Sequence, residues 1–254
     1  MYGADVRKYR RGAEGIVPLM EPLEPRLLLD GNVTAFAVGG GLFIYGDPLD
    51  NDILIEQGVT PDEFTITGQT GTTVNTVGPA VAVPFAGVTG GLSLWLGDGD
   101  DAIRVLDCTI PGTLWMDHGT GASTTDIDLT TIDDYVYVWC GSGLDTFSLT
   151  GSGVGKFVHL YNWAGGTVTT LTDTSILGSL FITNGAGNDQ LVLSNTGGGT
   201  GIGGNLTINN GAGGSSTTLT NTLVGGSVND VNGDGLDDFT ADGLDVGGGL
   251  SIHN

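Results

Sequence analysis

A parallel β-solenoid, a rod of stacked coils about 22 residues long, is the all-β fold this sequence predicts. Three observations predict it. G-x-G turns open at Gly97, Gly119, Gly141, Gly185, Gly211 and Gly233, and the steps between them are 22, 22, 44, 26 and 22 residues. Between the turns lie short runs that alternate apolar and polar, such as Leu180 and Ile182, then Leu191 and Leu193, as strands with one buried face do. The composition agrees: 47 of 254 residues are Gly and only 14 % are charged, yet 39 % are hydrophobic and evenly spread, so the chain is no disordered linker. A right-handed parallel β-helix satisfies all three. A leucine-rich repeat lacks its L-x-x-L-x-L pattern here, and a β-sandwich, the alternative fold, does not predict constant turn spacing.

The elements follow in order. Residues 1–32 stand apart as an extended or disordered arm with Pro18, Pro22 and Pro25 and five of the seven basic residues. Residues 33–89 read as irregular first coils: 39–55 is the first strand–turn–strand, and 64–66, 73–77 and 81–85 alternate like strands between Gly and Pro. Residues 90–254 form the regular solenoid. Its coils begin at Gly90, Pro111, Asp134, Val154, Leu177, Ile202, Gly225 and Gly247. No single coil buries its own apolar face, so stacking supplies the core. Nine or ten coils at strand spacing predict a rod on the order of 45 Å long. Glycine is expected at the turns because only it takes positive φ freely or lets stacked backbones approach closely. Val, Ile, Thr and Asn elsewhere suit pleated faces and hydrogen-bonded ladders.

Charge narrows the partners. The net charge is −22, and residues 27–254 hold two basic against 25 acidic side chains. Such a surface repels phosphate backbones and anionic membranes, so nucleic acid is excluded, and divalent cations are its natural counter-ions. No apolar run approaches the ~18–20 residues of a membrane span. Cys108 and Cys140 make neither a disulfide framework nor a zinc site, and buried thiols are expected.

In the arm, Leu23, Glu24, Pro25, Arg26, Leu28 and Leu29 match every fixed letter of the LEPRxLL motif. The segment resembles that of large repetitive proteins of planctomycetes and some other bacteria. The resemblance covers about ten residues and implies an extracellular or cell-surface protein, but no activity. The turns are similar to the calcium repeats of repeats-in-toxin proteins, through Gly97-x-Gly99-x-Asp101, Gly141-x-Gly143-x-Asp145, Gly185-x-Gly187-x-Asp189 and Gly233-x-Gly235-x-Asp237. They lack the leading Gly, and two coils carry Ser123 and Ser215 in place of the Asp. A tight turn whose Asp caps its own backbone explains the same letters.

Calcium takes six to eight oxygens. The best candidate loop is Asp230, Asn232, Asp234 and Asp238, which resembles the loops of FG-GAP and thrombospondin type-3 repeats; it lacks the closing Glu of an EF-hand, since Ala241 holds that place. Asp98, Asp100 and Asp101 are the second candidate. Signals for catalysis are poor: Asp126, Asp128, Asp133 and Asp134 are dense, but basic residues outside the arm are Arg104 and Lys156, and His118, His159 and His253 stand apart. Trp95, Trp115, Trp139 and Trp163, spaced 20, 24 and 24 apart, are expected to form one column, either a ladder that stiffens the rod or a strip on which sugars stack.

The reading is therefore an exported structural or adhesive module, with calcium as the candidate ligand. The alternative is a carbohydrate-active or sugar-binding β-helix. A surface polysaccharide, end-to-end self-association, or further repeats of a longer chain are the expected partners, since residues 247–254 read as the start of another coil.

Overall fold

The computed structural model describes residues 31–196 and 201–253. The LEPRxLL segment, and with it nearly all of the arm, lies outside the described residues. What is described is all strand and turn, a parallel β-solenoid of about 7 turns.

Each coil contributes to three walls. The first wall is an 11-stranded sheet that includes Leu92–Trp95, Leu114–Asp117, Val136–Cys140, Val158–Asn162 and Leu180–Thr183. The second is a 10-stranded sheet that includes Ala102–Leu106, Thr124–Asp128, Asp145–Thr150, Thr167–Thr172 and Asp189–Ser194. The third is narrow, built from two-residue strands such as Thr109–Ile110, Thr131–Ile132, Gly153–Val154 and Ser175–Ile176. Each wall sends side chains inward at fixed register, two or three per coil from the two broad walls and one from the narrow wall. Leu92, Leu114, Val136, Val158, Leu180 and Leu206 stack in one column, and Ile110, Ile132, Val154 and Ile176 in another. These columns are almost fully buried and form one continuous core.

The N-terminal end departs from the expectation of nine or ten coils. Gly41–Tyr45 pairs directly with Leu92–Trp95, and Asp52–Gln57 with Ala102–Leu106, so the intervening residues leave the stack. They return as Glu63–Gly68 and Ala82–Ala86, paired antiparallel on the edge of the second wall. Asn32–Val38 covers the first wall in the same way, antiparallel to Gly41–Tyr45. Antiparallel strands close this end of a parallel stack, where an open edge would invite pairing with other chains.

The corners explain the glycines. Between the first and second walls, a Cβ on Gly141 would sit 1.9 Å from the carbonyl oxygen of Gly119, and one on Gly185 1.2 Å from that of Trp163. Close approach of stacked turns is the reason there; positive φ adds to it in the coils of Gly97 and Gly119. Between the second and third walls the chain turns on one left-handed residue in each of several coils: Asp107, Leu129, Gly151, Asp173, Asn221 and Gly243, with φ from 49° to 68°.

Candidate functional site

The first wall alternates strictly, and its outward positions are aromatic through the middle of the rod. One outward column runs Phe43, Ser93, Trp115, Tyr137, His159, Phe181; its neighbour runs Tyr45, Trp95, Asp117, Trp139, Tyr161, Thr183. The four tryptophans therefore do not share a column. Trp115 falls two residues short of the column of Trp95 and Trp139, where Asp117 stands instead. Trp163 falls past the strand end, in the corner. The reason is arithmetic: 20 and 24 add to two coils of 22, so the middle residue shifts by one column while staying on the same face.

The rings still touch. Trp95 and Trp115 are 4.6 Å apart between centroids, Trp115 and Trp139 5.1 Å, and Trp139 and Tyr161 5.2 Å. Tyr45 lies 4.8 Å from Trp95 with planes 6° apart, and His159 stacks on Tyr161 at 3.9 Å. Across neighbouring strands the ring separations match the strand spacing, so the rings cover one another, the Trp–Trp pairs tilted by 46° and 43°. This is an aromatic ladder. Trp163 is different: it is 69 % exposed, and among the described residues no aromatic ring lies against it.

Two grooves meet at Trp163. One, of about 350 Å³, lies between Trp139 and Trp163 over Gly119 and Gly141, with Asp117, Thr120 and Ser142 at its edge. The other, of about 520 Å³, is bounded by Tyr161, Trp163, Thr183 and Asn184. The turn glycines leave the floor without side chains. A further groove of about 280 Å³ on the second wall brings Arg104 and Asp126 together with Asp52 and Thr70.

Inside the same corner, two polar columns line the turn. One is an amide ladder: Asn162 donates to Asn184 at 2.7 Å, Asn184 to Asn210 at 2.7 Å, and Asn210 to Asn232 at 2.8 Å. The other runs Asn51, Asp101, Ser123, Asp145, Thr167, Asp189, Ser215, Asp237, with carboxylates strictly alternating with neutral residues. Each neutral residue donates its backbone N–H to the carboxylate of the next coil: Asn51 to Asp101 at 2.8 Å, Ser123 to Asp145 at 2.9 Å, Thr167 to Asp189 at 3.0 Å, Ser215 to Asp237 at 2.9 Å. Carboxylates on adjacent coils would stand about 4.8 Å apart, a repulsion of about 3–4 kcal/mol at an effective dielectric of about 20. Ser123 and Ser215 are thus neutral partners in an alternating ladder.

Burial raises the carboxyl pKa of Asp101 and Asp189 to about 6, against the hydrogen bonds they accept, and raises that of Asp145 as well. Burial pushes the His118 imidazole down to about 4; its Nε2 lies 3.0 Å from the Thr125 hydroxyl. Cys108 and Cys140 are buried and unpaired, with burial raising both thiols, Cys108 to about 12.

The residues of the candidate calcium loop are divided between the inside and outside of the wall. Asp230 points into the core, where burial raises its pKa to about 6 and Asn210 donates to it at 3.1 Å. Asn232 accepts from Asn210 in the amide ladder, whereas Asp234 and Asp238 are exposed. Asp101 likewise faces inward while Asp98 and Asp100 face solvent. Asp100 accepts the Ala122 N–H at 2.9 Å and donates its own N–H to Asp50 at 2.8 Å; Asp98 accepts from the Thr120 hydroxyl. Among the described residues, no three His, Cys, Asp or Glu side chains gather to hold a metal ion. His118 lies in the core, His159 in the aromatic ladder and His253 in the strand Leu250–His253. No described helix is long and apolar enough to cross a membrane.

No protein-family model, curated protein or solved structure matches the chain.

Proposed function

We propose that this chain is a non-catalytic rod of an exported, cell-surface protein, which holds an adhesive surface at a fixed place and stiffens it. The observation that carries this reading is the first wall. Its outward side chains are organised into a continuous aromatic ladder, and the neighbouring corner leaves one indole uncovered. The resemblance at residues 23–29 and the strongly acidic surface support an extracellular setting. Calcium enters as a diffuse counter-ion of the acidic turn edge at Asp50, Asp98 and Asp100 rather than as the ligand of a closed loop.

Co-sedimentation with insoluble polysaccharides tests adhesion: retention by at least one neutral polymer is expected, and recovery of all protein in the supernatant across the set refutes it. Melting in calcium, magnesium and chelator tests the ion. Calcium and magnesium should act alike and shift the midpoint by a degree or two; a large calcium-specific rise refutes the counter-ion reading.

A carbohydrate-active role is the second reading. Its support is the groove that brings Arg104 together with Asp52 and Asp126. Release of reducing ends or unsaturated sugars by the parent, abolished in Asp126→Asn, is what it requires.

A further inference from the structure

We infer that the corner between Trp139 and Trp163 is a saccharide site, taking a neutral pyranose chain laid across the exposed indole of Trp163. The inference rests on the adhesive reading above and names its ligand class and its place.

The argument starts from what an exposed tryptophan costs. Its apolar area is the largest of any side chain, and elsewhere on this wall the indoles recover that area by stacking on one another. Trp163 is 69 % exposed and outside the ladder. It is also held in place. The chain around it is fixed by the stacked turn: the Trp163 carbonyl accepts the Ala186 N–H at 3.1 Å, and Asn162 beside it begins the amide ladder. An uncovered ring on a fixed stretch of backbone, with a groove on either side, suits a flat, partly apolar ligand.

The polar groups select the chemistry. Asp117, Thr120 and Ser142 edge one groove, and Thr183 and Asn184 the other. No basic side chain lines either groove, and Asp117 brings a carboxylate, so phosphates, sulfates and uronates are disfavoured. A neutral pyranose presents a C–H face to an indole and hydroxyls at its rim to carboxylate, hydroxyl and amide groups. The floor suits it too, because Gly119, Gly141 and Gly185 carry no side chain to hold the sugar away. Coils stack at the spacing of neighbouring strands, close to the length of one sugar unit, so a chain running along the rod meets both grooves in succession.

The test is tryptophan fluorescence titration of the whole chain with neutral hexasaccharides (cellohexaose, xylohexaose and chitohexaose), alongside Trp163→Ala and Trp115→Ala. The parent should bind at least one of them, Trp163→Ala should weaken that binding about tenfold or more, and Trp115→Ala should leave it within about twofold. Circular dichroism checks that each variant keeps its β signal. The site is overturned by no binding to any of the three or by equal binding in Trp163→Ala. Co-sedimentation of the same variants separates this inference from the adhesive reading. A parent and a Trp163→Ala variant retained equally on insoluble polysaccharide keep adhesion and discard this corner. Hexasaccharide binding without retention keeps the corner and discards adhesion.

Discussion

Replacing Asp189 by Asn should stabilise this protein at neutral pH and do nothing at pH 4. Asp189 is 6 % exposed, and its carboxyl accepts the Thr167 N–H at 3.0 Å. Burial moves its pKa from 3.8 to about 6. A native pKa above the unfolded one means that the native state holds the proton longer. Stability is therefore greatest below about pH 4, falls as pH rises through about 6, and levels off above that. The displacement of about two units corresponds to about 3 kcal/mol lost once the group is ionised. Asparagine keeps an oxygen for Thr167 and has no charge to bury. Asp101 and Asp145 are poorer choices, because their second oxygens are buried without a hydrogen-bond partner and an amide there would strand two donors. Denaturant unfolding at pH 7.5 and pH 4 measures the effect. Asp189→Asn should gain about 1–3 kcal/mol at pH 7.5 and match the parent at pH 4. His118 works in the opposite direction: with a pKa lowered to about 4, it costs stability as pH falls below about 6.5. It is common to both proteins and cancels in the difference. An equal effect at both pH values, or destabilisation at pH 7.5, would refute the reasoning.

Three further outcomes are expected. Gly185→Ala puts a Cβ 1.2 Å from a backbone oxygen of the coil below and should cost about 3 kcal/mol, whereas Gly153→Ala, with nothing within 4 Å, should change stability by less than about 0.5 kcal/mol; comparable losses in chemical denaturation would contradict the close-approach explanation of the turns. Leu129 holds φ at 51° where neighbouring coils place Asp107, Gly151 and Asp173, so Leu129→Asn should raise stability by about 1 kcal/mol, and a lower melting temperature would show that its packing on Gly151 matters more. His118→Leu copies the Leu96 of the preceding coil and should reduce unfolding between pH 6.5 and 4 relative to the parent, an expectation that fails if acid titration curves coincide.

The ladder of carboxylates shows how much of the site was legible. The period placed Asp101, Asp145 and Asp189 at equivalent positions, and stacking at that period makes the alternation with Ser123 and Thr167 a column rather than a coincidence. Alternation from Val228 already sends Asp230 inward, whereas Asp238, on the following strand Asp237–Asp242, is exposed. The tryptophan columns were legible too, had 20 and 24 been set against 22. The exposure of Trp163 was not, because a spacing says which column a residue leaves and not what it is left beside.

Period, composition and alternation by themselves determined the solenoid, its coil length, its inward columns and the need for glycine at one corner. These are local or repeating properties, and each repeat states them again. Only the tertiary structure decided the rest. The two-residue strands of the narrow wall are too short to show an apolar–polar alternation. The strands Glu63–Gly68 and Ala82–Ala86 alternate identically whether they pair parallel or antiparallel, so their role as a closing edge depends on their partners. The uncovered face of Trp163 depends on what neighbouring coils place beside it, and the sequence of one coil does not contain that.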